Sequence, residues 1–364
     1  MSRGTVLPRR KILIPKFVPS KVILENGETF SGFSPEWDQG TFHGEVVFTT
    51  GMTGYPESLT DPSFAGQLLT FTYPLIGNYG VPDKEYWESS RIHARGVIVS
   101  EACHAWSHHR SLFSLAEWLK EQNVPLITGI DTRALTKMLR EAGTMLGAIT
   151  TEEEKKHQFA DPNREHLVKQ VSIAGTQTYN PGKKKVIYAL DCGMKENIAR
   201  SLAKLPATVH RVPFNYDFTE HDYDGLFISN GPGDPVQCSE TIEIIRKAMA
   251  KGKPIFGICL GIQLLSLAAG ARTYKLPYGH RGHNQPCIAI DTEECVVTSQ
   301  NHGFAVDENS LPREWKVTYK NLNDGSVAGI RHSQKPFFAV QFHPEATPGP
   351  TDTEWLFQTF YDML

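Results

Sequence analysis

Apolar and polar positions change rhythm about halfway along this chain. From Lys21 the apolar residues come in short runs broken by turn residues. Lys21 to Phe30 reads as a hairpin, because Asn26-Gly27 separates Val22-Ile-Leu24 from Thr29-Phe30. Glu45 to Thr50, Gln67 to Thr72 and Arg95 to Ser100 have the apolar content of strands. Two helical periods follow. One is marked by Leu112, Leu115, Ala116 and Leu119. The other starts at Asp131, a good N-cap, runs through Leu135, Met138 and Leu139, and stops at Gly143. Residues 21–150 therefore predict one mixed α/β domain, β-rich at first.

From Val186 strands and helices alternate. Val186 to Leu190, Thr208 to Phe214, Gly225 to Ser229 and Ile255 to Ile258 read as strands. Glu196 to Leu205 and Ser239 to Ala250 read as helices between them. That alternation predicts an α/β domain over 186–364, with a mostly parallel sheet flanked by helices. Residues 151–185 carry the charge run Glu152-Glu-Glu-Lys-Lys156 and the polar turn Asn180-Pro-Gly-Lys-Lys-Lys185, so a solvated linker and a domain boundary are expected there. Residues 1–20 hold Arg3, Arg9, Arg10, Lys11 and Lys16 and no acidic residue, and read as a basic, extended tail.

Composition narrows the function classes. A chain of 364 residues suggests two or three domains. At 40% hydrophobic and 21% charged residues it has the make-up of a globular protein. A formal charge of −3 gives no electrostatic case for nucleic acid or an anionic membrane surface. No apolar run approaches the ~20 residues of a membrane helix. The six Cys form no Cys-x-x-Cys pair, so free thiols in a reducing, cytoplasmic setting are expected, and no metal site. Pro8, Pro15 and Pro19 interrupt any amphipathic leader helix.

The candidate chemistry centres on Pro254 to Leu265. An apolar strand ends at Ile258 and a helical apolar period starts at Leu260, with Gly257-Ile-Cys259-Leu-Gly261 between them. This is the Gly-x-nucleophile-x-Gly pattern of a sharp strand-to-helix elbow, with Cys as nucleophile. The strained turn and the need for access to the sulfur explain the glycines. The helix N-terminus favours a developing thiolate. A nucleophile needs a base, and the base an orienter. His343 follows the apolar run Phe337 to Phe342, and Glu345 lies two residues on, within reach of the far imidazole nitrogen. Acyl chemistry also needs N–H donors for an oxyanion. Leu260 offers one. Asn230-Gly-Pro-Gly-Asp234 offers another from Gly231 or Gly233, because Pro232 has no N–H. Gln300-Asn-His-Gly-Phe304 reads as a polar loop.

Together the elbow, the Asn230-Gly-Pro-Gly-Asp-Pro235 loop and His343-Pro-Glu345 resemble the class I, or triad, glutamine amidotransferases. Thr50-Gly-Met-Thr-Gly-Tyr-Pro56, Leu59-Thr-Asp-Pro-Ser63, Tyr73-Pro-Leu-Ile-Gly-Asn78, Gly129-Ile-Asp-Thr-Arg133, Gln300-Asn-His-Gly-Phe304 and Gln341-Phe-His-Pro-Glu-Ala346 resemble the carbamoyl phosphate synthase small subunit family. The resemblance covers nearly everything from Lys21 onward. It implies that Cys259 forms a thioester with glutamine, that His343 is the base and Glu345 its partner, and that Leu260 and Gly231 form the oxyanion hole. It places L-glutamine on Ser63, Gly231, Gly233, Leu260, Gln263, Asn301, Gly303 and Phe304, with Ser63 reaching in from the N-terminal domain. It implies no cofactor in this chain. ATP, Mg and bicarbonate would act at a partner, the large synthetase subunit, which makes carbamoyl phosphate for arginine and pyrimidine synthesis. Because the chain stops at Leu364, that subunit is expected as a separate chain. Ile262 departs from the family's usual Gly-His-Gln elbow. The rival readings are a glutaminase serving another acceptor, against which the N-terminal domain argues, and an inactive binding subunit, against which the filled triad positions argue.

Overall fold

The computed structural model describes residues 14–152 and 158–364, and two sheets organise them. The first has seven strands in the spatial order Leu126–Ile127, Gly96–Ile98, Gln67–Phe71, Thr41–Thr49, Met145–Thr150, Phe17–Leu24 and Thr29–Pro35. The first four of these run parallel and the remaining pairings are antiparallel. Gln67–Phe71 is buried at every position, as a strand covered on both faces must be. One face packs on the Leu115–Glu121 helix, including Trp118, and on the loop around Trp87; the other packs on the Thr132–Ala142 helix. Both helix starts follow from local sequence. Ser114 and Glu117 form a reciprocal capping box, and the Asp131 carboxylate accepts the Ala134 N–H at 2.8 Å.

The hairpin around Asn26-Gly27 forms as expected but is longer. Phe17 to Ser20 already pair with Thr29–Pro35, so the expected tail is strand from Phe17. The rest of that tail, through residue 13, lies outside the described residues.

The second sheet has ten strands. Gln177–Tyr179, Ala207–Pro213, Lys185–Asp191, Gly225–Ile228, Ile255–Ile258 and Phe337–Val340 lead into Val327–His332, Trp315–Asn321, Thr273–Ala289 and Cys295–Val306. Five strands, Ala207–Pro213 through Phe337–Val340, are mutually parallel. Successive residues of Lys185–Asp191 feed opposite faces. Ile187 and Ala189 pack with the Glu196–Lys204 and Trp355–Asp362 helices; Tyr188 and Leu190 pack with Ser239–Lys251 and Leu260–Ala268. This is the two-faced parallel core that the alternation predicts.

Two segments differ from expectation. Residues 158–185 include a helix, Leu167–Val171, and a strand, Gln177–Tyr179, that adds antiparallel to the second sheet. Val168 is buried in that sheet's core, so this part is packed rather than solvated. The charge run lies mostly in residues 153–157, outside the described residues. Gln300 to Phe304 is strand, within Cys295–Val306, rather than loop. Gln300 and His302 are buried in a hydrogen-bonded network with His280, which removes the apolar alternation that marks a strand.

Candidate active site

Cys259 stands at the turn between Ile255–Ile258 and Leu260–Ala268, with φ 54° and ψ −104°. A side-chain-bearing residue in that region is strained, as a nucleophile elbow requires. The flanking glycines answer to close packing. A Cβ on Gly257 would lie 2.8 Å from the Gly261 backbone, and one on Gly261 would overlap the Ile228 carbonyl oxygen.

The neighbouring strand brings the base. Phe337–Val340 pairs in parallel with Ile255–Ile258, Val340 opposite Ile258, and the Cys259 N–H donates to the Val340 carbonyl at 2.8 Å. Cys259 and His343 therefore leave the same sheet end from adjacent strands. His343 Nδ1 and Glu345 Oε1 are 2.7 Å apart, and both side chains are buried. That contact leaves the His343 Nε2 without a hydrogen-bond partner among the described residues.

Sequence reasoning missed Lys195. It follows Lys185–Asp191 at the same sheet end and is 3% exposed. Its Nζ lies 3.0 Å from Glu345 Oε1 and donates to the Ala346 carbonyl at 2.6 Å. Nothing in a lone Lys after a strand separates it from a solvated one. Burial opposes charge on all three groups, and mutual attraction prevails. Glu345 is held below the usual carboxylate range by Lys195 and then His343. His343 is raised above the usual imidazole range by Glu345 and Cys259.

The Asn230–Asp234 loop leaves the neighbouring strand Gly225–Ile228 at the same end. A Cβ on Gly231 would overlap the Cys192 carbonyl oxygen, and Gly233 has φ 83°. Neither the Leu260 nor the Gly231 N–H has an acceptor among the described residues. Two free donors beside a nucleophile are what an oxyanion needs.

A cleft opens at Cys259. Ser63, Gly231, Gly233, Gln263, Asn301, Gly303 and Phe304 line it, and Leu260 lies at the elbow beside it. Ser63 does come from the N-terminal sheet's side. Its Oγ accepts from Asn230 Nδ2 at 2.9 Å, and neighbouring Asp61 accepts from Asn301 Nδ2 at 2.8 Å. Gln263 is fixed by the Phe304 carbonyl at 2.8 Å. The cleft also has a charged wall that sequence reasoning missed: Glu45, 2.6 Å from Lys275 Nζ, with buried Arg281 beside it. Ile262 does not line the cleft. It is fully buried in the core under the elbow helix, so an apolar residue suits it.

Replacing Ser63 by Ala should raise KM for glutamine several-fold with kcat nearly kept, since Ser63 lines the cleft without touching the Cys259–His343 pair. Steady-state glutamate release would measure this; a lowered Tm with unchanged KM would contradict it.

No cluster of three or more His, Cys, Asp or Glu suited to a metal occurs among the described residues. Nor, among them, is any helix long and apolar enough to cross a membrane. All six cysteines are free thiols.

Two family models match: "Carbamoyl-phosphate synthase small chain, CPSase domain" over residues 22–149 and "Glutamine amidotransferase class-I" over 188–363. The chain is similar to the Multifunctional protein CAD of Squalus acanthias, 51% identical over 94% of this chain and 16% of that protein. It is 45% identical to the Multifunctional protein URA2 of Saccharomyces cerevisiae, over 94% of this chain and 17% of that protein. The chain thus spans less than a fifth of these two relatives. It is 48% identical to the Carbamoyl phosphate synthase arginine-specific small chain of Emericella nidulans, over 89% of this chain and 75% of that protein. With that match across both sheets, the chain belongs to the carbamoyl phosphate synthase small chain family and carries a class I glutamine amidotransferase domain.

Proposed function

We propose that this chain hydrolyses L-glutamine at Cys259 and delivers the ammonia to a carbamoyl phosphate synthetase. The observation that carries the reading is a strained Cys elbow adjoining a buried His343–Glu345 pair, in a cleft that the glutamine-site residues line. His343 takes the Cys259 thiol proton as the sulfur attacks the side-chain amide carbon, and the N–H groups of Leu260 and Gly231 stabilise the oxyanion. His343 gives its proton to the departing nitrogen, which leaves as ammonia, and a γ-glutamyl thioester remains. His343 then takes a proton from water as the water attacks the thioester. Glutamate leaves and the sulfur is restored. Glu345 keeps the imidazole oriented, and Lys195 keeps Glu345 ionised.

ATP, Mg and bicarbonate belong to the synthetase, as a separate large subunit or as a further part of a longer chain. The name of the Emericella nidulans relative supports arginine synthesis as one destination, and pyrimidine synthesis is the other that the family resemblance implies. Six free thiols fit a cytoplasmic setting. The purified protein with its synthetase should release one glutamate per ammonia consumed in synthesis. Absence of glutamate release in the presence of synthetase and its substrates would refute the reading.

A further inference from the structure

The Glu196–Lys204 helix begins at Lys195, and no side chain of its own N-terminal segment caps it. Its first N–H groups are satisfied from the other side of the molecule. The Glu196 N–H donates to the Glu88 carbonyl at 2.8 Å, and the Asn197 N–H to the Glu88 carboxylate at 3.0 Å. Glu88 is fully buried. It belongs to the N-terminal half, where its N–H donates to Thr60 Oγ1 at 2.9 Å and adjacent Trp87 packs on Trp118. Arg200, one turn into the helix, closes the contact. It lies 3.3 Å from the Glu88 carboxylate and donates to the carbonyls of Glu85 and Trp87 at 2.7 and 2.9 Å.

The two residues flanking Glu196 both hold Glu345. Lys195 pairs with its carboxylate, while Asn197 Nδ2 donates to its carbonyl and, at 2.7 Å, to Thr347 Oγ1. The turn capped by Glu88 is therefore the turn that grips Glu345 from both ends. We infer that Glu88 is a positioning residue for glutamine hydrolysis: by capping this turn across the two halves, it fixes Lys195 and Asn197, and through them the Glu345–His343 pair. The inference rests on the glutaminase reading above. It adds that the N-terminal half sets the geometry of a triad it does not contain.

Glu88→Ala keeps the backbone carbonyl on the Glu196 N–H but strips the Asn197 N–H and Arg200 of their carboxylate partner; a helix start with an orphaned N–H relaxes, and a small displacement of a base costs rate far more than binding. Glu88→Ala should lower kcat for glutamate release by roughly 10- to 100-fold with KM changed little. Glu88→Gln keeps an acceptor for the Asn197 N–H and should restore most of kcat. Asn197→Ala removes the next link at a half-buried position that the fold tolerates more readily, and should lower kcat with KM kept, whether or not Glu88→Ala folds. Each variant is assayed as the full chain with its synthetase, beside the wild type. An unchanged kcat in either Ala variant, even with a lower Tm, overturns the inference while wild-type activity keeps the glutaminase reading. So does a Gln variant as slow as the Ala variant. An inactive wild type takes both down together.

Discussion

A Cys259→Ser variant, assembled with its synthetase, is expected to lose glutamine-dependent carbamoyl phosphate synthesis by roughly 10⁴-fold or more while keeping synthesis from ammonium salts. The change is close to isosteric, so the buried elbow and its contacts on Gly257, Gly261 and the Val340 carbonyl should persist. What changes is the nucleophile. A serine hydroxyl is scarcely ionised near neutrality, and a base adapted to a thiol does not remedy that. Added ammonia bypasses the thioester altogether. The assay is product formation from each nitrogen source on the same preparation. Loss of both activities with assembly intact would give Cys259 a role other than ammonia release.

A Lys195→Met variant should show the second-largest effect. Its ammonium is buried against a fully buried carboxylate. Removing one partner of such a pair typically costs roughly 3–5 kcal/mol, because the other charge stays desolvated. The second Glu345 oxygen already lacks a partner among the described residues, so little remains to compensate. In the wild type the Glu345 carboxyl is pulled down to about 2, with Lys195 the leading favourable cause against burial. A depressed carboxyl contributes stability that is present above its unfolded value, about 4.3, and is lost as pH falls through its folded value. Without Lys195, burial pushes the folded value upward. The carboxylate's contribution should then fade at higher pH than in the wild type, and the acid limb of kcat should move up with it. Thermal unfolding and glutamate release, each followed from about pH 3 to 8, would measure both. A variant with wild-type kcat and an unmoved acid limb would show that Glu345 does not depend on Lys195.

How much of this was legible depends on how local the constraint is. The elbow was legible because its glycines answer to atoms within the same turn or the next strand. Gly257 meets Gly261, and Gly261 meets Ile228. His343 and Glu345 were legible because an apolar strand ending in polar groups marks a sheet's carboxyl end, where α/β folds place their sites. Lys195 shares that edge but carries no local mark, since its partner lies 150 residues away. Glu88 is hidden for the same reason. Its carboxylate looks like any turn residue until the fold sets it on a helix start more than a hundred residues on. Gln300 to Phe304 escaped for a different reason. Buried polar side chains that satisfy each other through Gln300, His280 and His302 erase the apolar alternation of a strand. Leu167–Val171 spans too few residues to show a helical period.

The central claim is that glutamine is opened by the Cys259 sulfur. Protein turning over glutamine, quenched in acid and mapped by peptide mass spectrometry, tests it most directly. Acid slows hydrolysis of the acyl–sulfur bond, so the intermediate survives digestion at low pH. The account predicts one added glutamyl group, on the peptide that carries Cys259, absent when the enzyme is denatured before glutamine is added. A glutamyl group on Cys103, Cys192, Cys238, Cys287 or Cys295 instead, with Cys259 unmodified during turnover, would contradict it.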